Sequence, residues 1–68
     1  MMHATEFGSS PSVTVLVTEK DDILDSKSEV RINWSTCGAL PLKDAHRFHL
    51  AMRRAINFAR KESRRLKL

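Results

Sequence analysis

Two short segments of the chain alternate in polarity with a period of two, and a longer segment with a helical period follows them. In residues 13–18, Val-Thr-Val-Leu-Val-Thr, five of the six residues are β-branched and the three valines share one face. Residues 30–35 alternate more strictly, with Val30, Ile32 and Trp34 on one face. Both patterns are typical of strands that turn one face to a core and the other to water.

The longest pattern covers residues 42–66 and predicts one amphipathic α-helix. Its apolar positions recur at alternating steps of three and four, which keeps their side chains in one stripe. Neither Gly nor Pro occurs after Pro41, and Pro41 itself suits the first position of a helix. The stripe consists of Ala45, Phe48, Met52, Ala55, Ile56, Ala59 and Leu66, with Ala51 and Phe58 along its border.

The order of these segments predicts an α+β fold in which an antiparallel β-hairpin is followed by one long amphipathic C-terminal helix (ββα). Residues 1–12 contain Gly, Pro and several Ser without an apolar period, so we expect a flexible N-terminal arm. Residues 13–68 then form a single ββα domain whose helix ends in a basic segment. We expect Trp34 to be buried in this domain, because it shares a face with Val30 and Ile32.

A domain of this length has little core of its own. A chain of 68 residues buries a smaller share of its surface than a typical domain, and its single Cys excludes an intrachain disulfide. We therefore expect a homodimer, formed through sheet edges or helix stripes. A hairpin of about 23 Å cannot cover a helix of about 37 Å. Because apolar residues thin out after Ala59, we expect residues 60–68 to extend into solvent.

The net charge of +4 conceals an asymmetry along the chain. Residues 1–52 carry five basic and seven acidic side chains, whereas residues 53–68 carry seven basic and one acidic. Most of the basic residues of the helix fall opposite its apolar stripe, and Arg matches phosphate geometry better than Lys does. The candidate nucleic-acid-binding residues are Arg47, Arg53, Arg54, Arg60, Lys61, Arg64 and Arg65.

The other residues capable of site chemistry fit ordinary structural roles better. His46 and His49 are three apart on the helix, but further metal ligands would have to come from Cys37 on a loop and His3 on the arm. A nucleophilic Cys37 would need one of these histidines as its base, and one Cys with a few His is close to chance expectation. The acidic residues in 21–25 lack the spacing of a calcium-binding loop. We expect no catalytic site, metal or cofactor.

These features favour a small non-enzymatic binding protein. The preferred function is weakly sequence-specific binding of nucleic acid through the Arg-rich helix face. The alternative is a small regulator or adaptor that docks on an acidic protein surface through that face or an open strand edge. A basic face that only keeps the protein soluble is the other explanation. The apolar runs are too short to span a bilayer, and a single free thiol without a secretory signal predicts a cytoplasmic location.

Overall fold

The chain folds as a three-stranded antiparallel sheet with one helix packed on it. The computed structural model describes residues 2–9, 11–20, 27–35 and 38–68. The strands are β1 (Met2–Phe7), β2 (Val13–Thr18) and β3 (Glu29–Trp34), and the helix is α1 (Leu42–Arg65). The sheet has the order β1-β2-β3, with β2 in the centre. The predicted α+β fold is confirmed: β2 and β3 are the hairpin, and α1 is the long C-terminal helix.

β1 takes the place of most of the flexible arm that the sequence predicted for residues 1–12. It pairs with β2 in antiparallel register along its whole length. The prediction was wrong because the face of β1 that follows the inner face of β2 carries His3, Thr5 and Phe7. Only Phe7 is apolar, so the strand has no hydrophobic period of two that a sequence pattern could reveal.

Gly8 makes the connection from β1 to β2 possible. Its φ of 78° lies in the left-handed region, which residues with a side chain rarely adopt. A Cβ at this position would lie 3.1 Å from Cβ of Ala51 and 3.1 Å from the carbonyl oxygen of Pro11. Glycine is therefore needed both for the backbone conformation and for the close approach of the helix. The Gly–Ser–Pro composition that suggested a flexible arm belongs to a connection between strands.

The core is a contact between valines of the central strand and alanines of the helix. Its buried members are Val13, Val15, Val17, Ala51, Ala55 and Ala59. Because the three alanines are four residues apart, they lie on one side of α1, and their small side chains let the helix come close to the sheet. Phe48 and Met52, which the sequence placed against the strands, pack at the flank of this contact and are half-buried. Ile56, the third residue of that prediction, is half-buried and lines a groove beside β3.

The helix is anchored to the sheet at its C-terminal half, not at its beginning. The rings of Phe7 and Phe58 pack with centroids 5.6 Å apart, and Leu66 packs against the core. Leu42, at the other end, is 88% exposed. The prediction that residues 60–68 extend into solvent was therefore wrong as far as Leu66, because Leu66 packs against the core and Arg65 pairs with Glu19. The first turn of α1 is the more open end of the helix. The apolar pattern missed this because part of the anchor, described below, is an ion pair.

Trp34 lies outside the core, contrary to the expectation from its strand pattern. It shares the inner face of β3 with Val30 and Ile32 and is paired with Val13 in the sheet. Nevertheless, 55% of its surface is exposed. Trp34 is the last residue of an edge strand, and among the described residues no further strand covers that edge. A period of two identifies the face of a strand that a side chain occupies, but it does not show whether another layer reaches that face.

The closeness of helix and sheet can be tested with Ala55→Leu. Ala55 is fully buried against the valines of β2, so a larger side chain should force the two layers apart and cost about 1–3 kcal/mol of unfolding free energy. Chemical denaturation measures the change. Ala45→Leu, at a half-buried position of the same helix, is the matched control and should cost less than about 0.5 kcal/mol. Equal losses for both variants would contradict a tight alanine–valine contact.

Candidate nucleic-acid interface

The outer face of α1 carries the basic residues that the sequence selected. All seven candidates have exposed side chains. At about 100° per residue, they and Lys43 fall on two ridges roughly 100° apart, separated by a line of other side chains. The first ridge consists of Arg53, Arg60 and Arg64. The second consists of Lys43, Arg47, Arg54 and Lys61, with Arg65 at its sheet-facing border. The line between the ridges contains His46, Leu50 and Asn57.

The acidic residues of the helix lie on the other side. Asp44 and Glu62 are both half-buried and fall within the arc of α1 that faces the sheet. Asp44 also lies in the first turn, where its charge favours the positive end of the helix dipole. Over the whole of α1, which the structure describes in full, the outer face thus carries no carboxylate of its own. Apart from the charge of Arg65 at the border of the second ridge, its positive charges have no carboxylate beside them on the outer face.

Arg65 differs from the other six candidates, because it has two carboxylate partners. Its Nη2 lies 2.5 Å from Oε1 of Glu19 and 2.7 Å from Oε2 of Glu62. Its Nε also donates a hydrogen bond of 2.8 Å to Oε2 of Glu62. Glu19 follows β2, so this ion pair connects the end of the central strand to the last turn of the helix. Arg65 therefore positions the helix, and its charge is less available to a phosphate than the charges on the ridges.

A second surface lies beside the basic face, between β3 and α1. It is an open groove of about 590 Å³, and its apolar walls are formed by Val30 and Ile32 of β3 and by Ile56 and Ala59 of the helix. Arg60, Ser63 and Arg64 line its helix side. The amino-acid sequence carries no signal of this groove. Its residues come from two elements whose separation is set by packing, so no spacing along the chain indicates it.

The residues considered for metal binding do not come together in the described parts of the chain. His46 and His49 are exposed on α1, and His3 lies on β1. Cys37 and the acidic residues in 21–25 lie outside the described residues. Within the described ranges, no three His, Cys, Asp or Glu side chains form a group that could hold a metal ion.

In the same ranges, no helix combines the length and the hydrophobicity that a membrane crossing requires.

The ion pair between Arg65 and Glu19 should make the stability of the fold depend on pH. The hydrogen bond from the Arg65 guanidinium, more than its charge, lowers the pKa of Glu19 below its ordinary value of 4.5. A carboxyl whose pKa is lowered on folding stabilises the fold above its unfolded pKa, and this stabilisation is lost as the pH falls through the folded pKa. Arg65→Gln should therefore lower the melting temperature slightly at pH 7, and the difference from wild type should shrink in acid.

The matched control for this experiment is Lys61→Gln, which removes an exposed positive charge from the second ridge of the same helix. Its melting temperature should follow that of the wild type across the same pH range. Thermal unfolding followed by circular dichroism gives both curves. An effect of Arg65→Gln that is as large in acid as at pH 7 would mean that the pair with Glu19 contributes nothing to stability.

Comparison with known proteins identifies no relative: no protein-family model, no curated protein and no solved structure matches this chain. The exposed surfaces of the fold are therefore the basis for assigning a function.

Proposed function

We propose that the protein is a non-enzymatic, homodimeric module that binds nucleic acid through its phosphates, with the outer face of α1 as the contact surface. The observation that carries the proposal is the separation of charge on the helix. Both carboxylates of α1 face the sheet, and the exposed ridges carry only basic residues. Such a surface gains free energy by replacing condensed counterions on a nucleic-acid backbone.

The dimensions of the helix fit this kind of contact. A helix of 24 residues is about 36 Å long, close to one turn of a B-form duplex. Two ridges on a helix about 10–12 Å wide can reach phosphates on both sides of a groove about 12 Å wide. The proposed contacts are Arg47, Arg53, Arg54, Arg60, Lys61 and Arg64, while Arg65 holds the helix end in place.

The outer face of α1 has few groups that could distinguish one nucleic-acid sequence from another. Between the ridges, the outer line of α1 offers His46, Leu50 and Asn57, of which only Asn57 has an amide that can form a bidentate pair with a base edge. Phosphate contacts position a protein on nucleic acid without identifying the sequence. A general affinity for the backbone is therefore the expected behaviour.

A face that serves solubility alone would look different. Surfaces of that kind intersperse both signs of charge, because a mixed surface avoids a large field of one sign. The outer face of α1 has one sign only, although Asp44 and Glu62 are available in the same helix. This arrangement favours a polyanionic partner over a merely solvated surface.

The proposal predicts a steep dependence of binding on salt. If four to six phosphates are contacted, the affinity for duplex DNA should fall with a log–log slope on the order of −4 to −5. Changing Arg53, Arg54 and Lys61 to Gln should flatten this slope by about 0.9 for each phosphate that the variant no longer neutralises. Fluorescence anisotropy of a labelled duplex at increasing salt measures the slope, and circular dichroism confirms that the variant is folded.

A second triple variant with the same net charge is the control, because it separates the loss of charge on α1 from the loss of charge in general. Changing Lys20, Lys27 and Arg31 to Gln removes the same number of charges, but none of the three is a residue of α1. This variant should keep the wild-type slope. No binding of the folded wild type to DNA or RNA at low salt would refute the proposal. Binding to one acidic protein together with negligible duplex binding would instead support the adaptor function.

A further inference from the structure

The edge of β3 that faces away from β2 has an exposed tryptophan at one end and an open apolar groove at the other. Trp34 ends the strand with 55% of its surface in solvent. The groove beside the same strand lies toward Val30 and extends along the helix as far as Arg64. A single exposed apolar residue is ordinary, but an exposed aromatic on the same edge as an apolar groove extends the exposed apolar surface, and extended apolar surfaces often mark interaction sites. Because Trp34 and the groove lie at opposite ends of one edge, a second copy of the chain can bring its tryptophan to the groove of the first.

Consider a two-fold axis that is perpendicular to the sheet and passes beside its edge strand. The copy of the strand that this axis generates runs in the opposite direction, so the two ends of the strand are exchanged. If two β3 strands pair antiparallel, Trp34 of one copy therefore comes to the Val30 end of the other copy, where the groove is. Such an interface is self-complementary, as two-fold dimers require. The pairing also satisfies the free backbone groups of β3, which an uncovered edge leaves to solvent.

Charge selects the register of this pairing. A register centred on Arg31 would place the two Arg31 side chains directly opposite each other, which is destabilising. A register centred on Ile32 places Arg31 opposite the partner's Asn33 and Trp34 opposite the partner's Val30. Ile32 also lines the groove together with Ile56, so the apolar walls of both copies meet near the axis. The register centred on Ile32 is therefore favoured over the one centred on Arg31.

The rim of the groove suits a tryptophan. Arg60 and Arg64 line it, and a guanidinium over the face of an indole ring gives a favourable cation–π contact. Entry into the groove also removes apolar surface of Trp34 from water, since 55% of the residue is exposed in the single chain. This contact offsets part of the repulsion between two basic helices that are brought side by side.

The other edge of the sheet lacks these properties. The space between β1 and α1 is lined by His3, Glu19, Glu62 and Arg65 among others, so its walls are largely polar. Phe7, the apolar residue on the inner face of β1, already packs against the helix. β1 therefore offers neither an unused aromatic on its inner face nor an apolar groove to receive one.

We propose that the groove is filled by a second copy of this chain. Two β3 strands pair antiparallel about an axis at Ile32, and Trp34 of each copy enters the groove of the other. The result is a six-stranded sheet with both helices on one face, so the basic ridges of two copies form one surface. This inference deepens the homodimer in the proposed function, but it requires no nucleic acid and is tested without it.

Trp34 is the only tryptophan of the chain, so its fluorescence reports on the interface directly. As the protein concentration rises in the absence of nucleic acid, its emission should shift to shorter wavelength. In parallel, the mass measured by sedimentation should rise from 7.8 kDa to twice that value. Trp34→Ala should weaken dimerisation by about 30-fold or more. The variant should remain folded as a monomer, because Trp34 lies outside the core.

Met2→Ala is the matched control, since Met2 is also a large apolar residue on an edge strand and is 67% exposed. It should dimerise like the wild type. A constant mass of 7.8 kDa up to high micromolar concentration, with emission typical of a water-exposed indole, would overturn the proposal. The proposal would also fail if Met2→Ala weakened the dimer and Trp34→Ala did not.

Cross-linking tests the register. In a Cys37→Ser background, Ile32→Cys places two cysteines directly opposite each other at the axis, within reach of a disulfide. Mild oxidation should then give a covalent dimer. Val30→Cys in the same background should not, because Val30 lies opposite the partner's Trp34. A covalent dimer from Val30→Cys and none from Ile32→Cys would overturn the proposed pairing.

Discussion

The contact between the alanines of α1 and the valines of β2 is the interaction on which the rest of the structure depends. Ala51, Ala55 and Ala59 present almost no side-chain bulk, so the helix comes close enough to the sheet for the valines to be fully buried. The same closeness excludes a side chain at Gly8, whose Cβ would meet Ala51. The contact therefore constrains the connection between β1 and β2 as well as the position of the helix.

A helix that sits so close over the central strand leaves the two flanks of the sheet to be covered by larger side chains. On the β1 flank, Phe7 and Phe58 fill the space between the layers. On the β3 flank, the inner residues of the strand meet an open groove and Trp34 remains exposed. The helix lies over the central strand, so its cover of the inner face of the sheet is incomplete on this flank, where the groove is. The uncovered flank is the physical reason for expecting a second copy.

Packing also decides how the charges are distributed. Glu62 pairs with Arg65, and Arg65 pairs with Glu19, so carboxylates near the helix are used to join it to the sheet. The outer face is left without a carboxylate, and the positive field points away from the sheet. In the proposed dimer, both helices lie on one side of the sheet and this field is doubled. Structural anchoring and the proposed phosphate binding thus use different residues of the same helix.

The sequence by itself determined the hairpin, the helix and the basic character of the helix surface, because each has a local signal in residue spacing or composition. It did not reveal β1, whose inner face carries His3 and Thr5, since a strand can be held by backbone pairing without an apolar pattern. Nor did it show that Trp34 is exposed or that Arg65 is paired. Burial and ion pairing depend on the distances between elements that are far apart in the chain, and only the tertiary structure decides those distances.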